Sequence, residues 1–152
     1  MVVKLSIVTM NRRYILARTL AAIWDTCRDD DIRVLVTDNG STDGTMDLLT
    51  AFLVHGNSKL STWSLGENRG TAGGRNAQIE EWMGHDMVRL DDKCLPLVPG
   101  WLRTLKRQAY ENHSIVAVPY DPSVLFLWQI APPVGFVPWS VDQGQGGPII
   151  FI

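Results

Sequence analysis

"VLVTDNGSTDGT", Val34 to Thr45, joins an apolar run to a helix signal through a loop that holds two acids. Val34, Leu35 and Val36 are rich in β-branching and too short a run for a helix, which predicts a buried strand of a parallel sheet. Asn39-Gly40 and Asp43-Gly44 are turn signals, and Ser41, Thr42, Asp43 and Thr45 are all competent helix N-caps. Two readings fit this stretch equally. Asp38 and Asp43 either turn and cap an ordinary junction, or face a ligand at a strand's carboxyl end, where open α/β sheets bind substrates.

Working outward, the same strand-then-helix alternation recurs. Val3, Leu5 and Ile7 alternate and Val8 extends the run, predicting a first strand that ends near Thr9; Leu16, Leu20, Ile23 and Trp24 then repeat at helical spacing. After the opening stretch, Met46, Leu49 and Leu53 mark a second helix, "KLSTWSL" a short strand, and "NRGTAGGRNAQIEEWMG" a glycine-containing loop running into a third helix with Thr71 as its N-cap. "DMVRLDDKCLP" is a strand that ends in Asp91-Asp92, and Trp101, Leu102, Leu105 and Ala109 form a fourth helix behind Pro99-Gly100. "SIVAVPY" and the terminal "GGPIIFI" are further strands. The fold class is α/β: an open, mostly parallel, Rossmann-like sheet with helices on both faces, in one domain over residues 1–152.

Composition narrows the function classes. A chain of 152 residues with 45% hydrophobic and 20% charged content has the makeup of a soluble globular domain. The net charge of −2 supplies no basic field, which argues against a nucleic-acid partner. Cys27 and Cys94 are isolated, so neither a zinc site nor a disulfide framework is indicated, and with no signal peptide a cytoplasmic setting is expected. Residues 122–141 carry no charge, but Pro132, Pro133, Gly135 and Pro138 would break a membrane-spanning helix repeatedly.

If the sheet is parallel, four segments meet at one crevice: Thr9-Met10-Asn11-Arg12, Asp38-Asn39, Asn68 to Asn76, and Asp91-Asp92-Lys93. "GTAGGR" offers backbone amides at a helix N-terminus together with Arg75, a phosphate-binding combination. Two acidic clusters would repel such an anion unless they bind sugar hydroxyls, base N–H groups or a bridging cation. A nucleotide diphospho-sugar presents all of these.

"SIVTMNR", "VTDNGSTDGT", "NRGTAGGRN" and "RLDDKCLPLVPGWL" together resemble the nucleotide-binding half of a family 2 glycosyltransferase of the GT-A fold, over roughly Lys4 to Leu105. The resemblance implies an inverting transfer of sugar from a nucleotide diphospho-sugar, most often a UDP-sugar, to an acceptor hydroxyl. It assigns Thr9, Asn11 and Arg12 to the nucleotide pocket and Asp38 to the base N–H. Asn68 and Arg75 would lie at the donor, with Arg75 facing the pyrophosphate or sugar. Asp91 and Asp92 fall on the Asp-x-Asp-type motif, implying sugar contacts and a divalent metal, manganese or magnesium. Lys93 departs from the pattern, standing where many relatives carry the second acid. It is either a salt-bridge partner or a fixed cation that replaces part of the metal's charge on the departing diphosphate.

Other conspicuous residues have plainer explanations. His55, His85 and His113 lack ligand-spaced partners and are read as surface or loop residues. Cys94 beside the acids is read as a small buried residue with a raised pKa. Trp63, Trp82 and Trp101 are assigned to the core, and Trp128 and Trp139 to packing in the irregular tail. Asp43 with Thr45 is assigned to the turn and cap.

The resembling pattern continues past its last strand to an acidic motif that supplies the catalytic base, whereas this sequence stops at Ile152. Residues 121–152 are therefore expected to be an incomplete acceptor-side segment beside a nucleotide-sugar-binding part at 1–120. The catalytic residue stays unassigned, with Asp142 the first alternative base. A terminal apolar strand with nothing after it is expected to expose apolar surface and favour a homodimer. The rival class is a module that binds a nucleotide sugar without turnover. A nucleotidyltransferase is disfavoured, since the first strand leads into "TMNRR" and not a glycine-rich phosphate loop.

Overall fold

The computed structural model describes residues 2–55, 57–82, 86–112, 116–118 and 149–151. In chain order the elements are β1 (Val3–Thr9), α1 (Arg13–Thr26), β2 (Ile32–Asp38), α2 (Thr45–Val54), β3 (Leu60–Ser64), α3 (Gly70–Trp82), β4 (Met87–Asp91), α4 (Trp101–Asn112), β5 (Val116–Val118) and β6 (Ile149–Phe151). The strands form one sheet in the order β3-β2-β1-β4-β6-β5. β1 to β4 are mutually parallel, and β6 runs antiparallel between β4 and β5.

This order explains where a ligand can bind. From β1 the chain steps outward to β2 and β3, then returns across β1 to lay down β4 on the other side. Parallel crossovers are right-handed, so that reversal sends α3 to the face opposite α1 and α2. The loops leaving β1 and β4 part in opposite directions and open a crevice at their carboxyl ends. Register places Thr9 level with Asp38, and Val8 level with Asp91, at that edge.

The two faces differ in chemistry. Leu5 and Ile7 of β1, Val34 and Val36 of β2, and Val88 and Leu90 of β4 join Leu16, Leu20 and Ile23 of α1, Leu49 of α2, and Leu102 and Ala109 of α4 in one apolar cluster. On the opposite face Ser6 donates a short hydrogen bond to Gln78 of α3, whose Nε2 donates to the Ile7 carbonyl at 2.8 Å. Gly74 lets α3 come this close, because a Cβ there would meet Val8 Cγ1 at 2.6 Å.

Two expectations are corrected. Thr71 lies inside the first turn of α3, and the residue capping that turn is Asn68, whose Oδ1 accepts the Gly70 N–H at 2.8 Å. Trp63 lies on a strand covered less completely than expected and is 41% exposed, while Trp101 packs on the core and donates to Thr26 Oγ1 at 3.1 Å. β6 is hydrogen-bonded on both sides, by β4 and β5. Trp82's side chain, His85, His113, Trp128, Trp139, Asp142 and the uncharged stretch 122–141 lie outside the described residues. No helix among the described residues is long and apolar enough to cross a membrane.

Candidate functional site

A cavity of about 400 Å³ opens at the crevice between the β1 and β4 ends. Thr9 ends β1, and Met10 and Arg12 follow it; Asn39 follows β2; Asn68 leads into α3, whose first turns supply Gly70, Thr71 and Arg75; Arg89 to Lys93 come from β4 and its exit. All four segments expected to converge do so.

The loop after β2 is rigid for a local reason. Gly40 has φ +81°, and a Cβ there would lie 2.7 Å from the Glu67 carbonyl carbon, so only glycine lets the loops after β2 and β3 touch. Asn39, buried beside it, uses its whole amide: Nδ2 donates to Asn68 Oδ1 (3.0 Å) and the Gly70 carbonyl (3.2 Å), and Oδ1 accepts the Arg69 N–H (2.9 Å). Asn39 thereby anchors the α3 N-terminus at the cavity, a role that its turn-forming Asn-Gly context concealed.

Asp38 is buried, and its two oxygens share the Ser41 N–H at 3.1 and 3.3 Å. It sits behind Asn39, off the cavity lining. Asn11 is likewise off the lining: its backbone is left-handed (φ 51°), and its Oδ1 accepts the Thr42 N–H at 2.7 Å, clamping the loop after β1 to the loop after β2. Asp43 does what its position suggested and more. Oδ1 accepts the Thr45 N–H at 3.1 Å at the start of α2, and Oδ2 accepts the Arg13 N–H at 2.9 Å at the start of α1. Hydrogen bonds from Thr45 and Arg13 hold its carboxyl below the usual range.

The two β4 acids are not equivalent. Asp92 is buried and engaged on both oxygens, with Thr9 Oγ1 donating to Oδ2 and Arg12 donating to Oδ1, each at 2.9 Å, while its carbonyl accepts from Thr19 Oγ1 at 2.7 Å. Burial, with a contribution from Asp91, pushes its pKa up to about 6 against the opposing pull of Thr9 and Arg12. Asp91 is more open, with Lys93 Nζ at 3.9 Å and Arg12 at 4.0 Å. A divalent cation therefore finds one accessible carboxylate, Asp91. Asp92, the other acid expected to ligate it, is buried and already holds one hydrogen bond on each oxygen, which makes it the less accessible of the two. Among the described residues no group of three metal-ligating side chains exists, so a cation here would need ligand phosphate oxygens to complete its shell.

Cys94, next to these acids, is buried and its thiol is pushed up to about 12 by burial and then by Asp91, which leaves it unreactive. His55 is an exposed residue ending α2. Arg89 was missed by sequence reading because a single arginine in a short strand gives no motif. Burial, then the charge of Arg75, lowers its pKa.

The family model for glycosyl transferase family 2 matches residues 5–137. An uncharacterized glycosyltransferase, YfnE of Bacillus subtilis (strain 168), is 31% identical over 88 residues, which cover 58% of this chain and 22% of that protein. Among solved structures, the mannosyltransferase PcManGT from Pyrobaculum calidifontis, in complex with GDP-Man and Mn2+, superposes with a TM-score of 0.72 at 21% identity, covering 82% of this chain and 37% of the other. S. aureus TarS 1-349 in complex with UDP-GlcNAc matches with a TM-score of 0.63 at 20% identity, over 76% of this chain and 33% of the other. The fold is thus that of the GT-A glycosyltransferases, and the chain spans about a fifth of the YfnE relative and about a third of each of these two structures.

Proposed function

The chain belongs to glycosyl transferase family 2, and on that premise we propose that it binds a nucleotide diphospho-sugar, a UDP-sugar first, for inverting transfer to an acceptor hydroxyl. The observation that carries the reading is the cavity itself. Cations, an α3 N-terminus with Gly70 and Thr71, and a partly open carboxylate converge at the point where the strand order reverses.

In this reading the α3 N-terminus and Arg75 hold the diphosphate, and Asp91 takes sugar hydroxyls. Arg12 is held in place by Asp92 and lines the nucleotide side. Each Asp38 oxygen keeps an acceptor position beyond the shared Ser41 N–H, and a base N–H would reach it only by passing the Asn39 loop that now covers it. Displacement at the anomeric carbon builds negative charge on the leaving diphosphate, and preorganised cations lower that barrier. Lys93, beside Asp91, supplies one such charge. A divalent cation, when bound through Asp91 and the diphosphate, would add Lewis-acid stabilisation of the same group.

A second reading, a module that binds donor without turnover, has one observation in its favour. Both carboxylates lining the cavity are ion-paired within 4.0 Å, and Asp92 is buried with a hydrogen bond on each oxygen, so neither stands unengaged to take an acceptor's proton. Asp142 remains the alternative base to test.

Thermal melting with UDP-, GDP-, dTDP- and CDP-sugars, with and without manganese, tests the shared premise, because a ligand of the folded state raises the midpoint. A rise with one nucleotide class is expected, and no rise with any of them would refute donor binding. Product analysis then separates the two readings, as transferred sugar supports the enzyme and unchanged donor the binding module.

A further inference from the structure

The cations around the cavity fall into two sets. Arg12 and Lys93 stand against Asp91 and Asp92. Arg75 and Arg89 line the same cavity, yet neither has an ion pair or a side-chain hydrogen bond among the described residues. Arg89 projects from β4 on the polar face, level with Ser6 and two residues before Asp91. Its Nε is buried without a hydrogen-bond partner, and the charge of Arg75 is felt there.

An arginine that merely packs its stem on a sheet carries its guanidinium out to water. Arg89 is half-buried, and its Nε is covered at a point where nothing among the described residues accepts from it, with the charge of Arg75 felt there. Buried charged donors persist where a partner offsets the cost, and an anion bridging two guanidiniums is such a partner. We propose that Arg89 and Arg75 form an anion-binding pair on the inner side of the cavity, and that Arg89 selects the ligand by a negatively charged group. That group is either the donor's diphosphate or a carboxylate on its sugar. The inference rests on the donor-binding reading for its ligand class, but the pair can be tested without a nucleotide.

Calorimetry with inorganic pyrophosphate, UDP-glucose and UDP-glucuronate on wild type, Arg89→Met and Arg89→Lys provides the test. Loss of one charge-assisted contact predicts binding weakened about 10-fold or more in Arg89→Met, with Arg89→Lys in between. Weakening toward pyrophosphate and both sugar nucleotides assigns the pair to the diphosphate. Weakening toward UDP-glucuronate alone assigns it to a sugar carboxylate. Circular dichroism and melting check the fold, and Arg89→Gln replaces Arg89→Met should that variant not fold. A folded variant that binds all three ligands as wild type does overturns the proposal, as does a wild type that binds none of them. Pyrophosphate binding by a wild type that ignores every sugar nucleotide would sink the donor reading and leave the anion pair standing.

Discussion

One strand shows two faces of this molecule. Leu5 and Ile7 of β1 point into an apolar cluster closed by α1, α2 and α4, whereas Ser6 and Val8 point toward α3, where Ser6 meets a buried glutamine and both residues border the cavity. The first face is held by area removed from water, which is forgiving of detail. The second is held by a few directed hydrogen bonds and one close helix approach, which leave room for polar groups to face a ligand. Stability and binding are therefore separable here by substitution.

The largest effect is expected on the apolar face. Leu20 is fully buried in the main cluster, and Leu20→Ala should cost roughly 2–5 kcal/mol in urea unfolding. Donor affinity, measured where the variant is still folded, should stay within about twofold. A large affinity loss would mean that the faces are coupled.

At the carboxyl edge of the sheet, Asp38→Ala should weaken nucleotide binding by roughly 1–3 kcal/mol, the range for a hydrogen bond to a charged group. Unchanged affinity by calorimetry in a folded variant would confine Asp38 to holding the Ser41 N–H. Gly74→Ala sharpens the comparison further. Its methyl would press on Val8, and overpacking costs about 1–3 kcal/mol, partly offset by roughly 1 kcal/mol of helix propensity. Adding Val8→Ala should restore most of the loss, and a double variant as unstable as the single one would refute close packing as the reason for this glycine.

The smallest effect belongs to the junction between the faces. Asp43→Ala should lower stability by about 1 kcal/mol through two lost caps and leave donor binding intact. Because the folded carboxyl titrates below the ordinary aspartate value, the wild-type advantage should be full above that ordinary value and be lost as pH falls through the lower folded one. Parallel unfolding curves at pH 7 and pH 3 check the sign.

The strand and helix sequence was legible from residue pattern because periodicity and turn residues are local. Val34 to Val36 and the helix around Leu16, Leu20 and Ile23 fall inside the observed elements, and Pro99-Gly100 immediately precedes α4. The cavity's membership was largely legible too, since parallel strands must bring their carboxyl ends to one edge. Thr71 as a cap was not, because α3 starts one residue earlier, at Gly70, whose N–H is accepted by Asn68. Trp63 as core failed because a tryptophan's composition does not reveal how completely its strand is covered.

By itself the sequence determined the alternation of strands and helices, the direction of the sheet and the segments at its binding edge, since those follow from spacing along the chain. Only the tertiary structure decided how neighbouring residues divide their work. It buried Asp92 between Thr9 and Arg12 while leaving Asp91 at the cavity, set Asp38 off the cavity lining, and left the Arg89 Nε without a hydrogen-bond partner among the described residues. The reason is that a side chain's burial, charge environment and hydrogen-bond partners are set by residues about thirty to eighty positions away, brought together by strand register and helix packing.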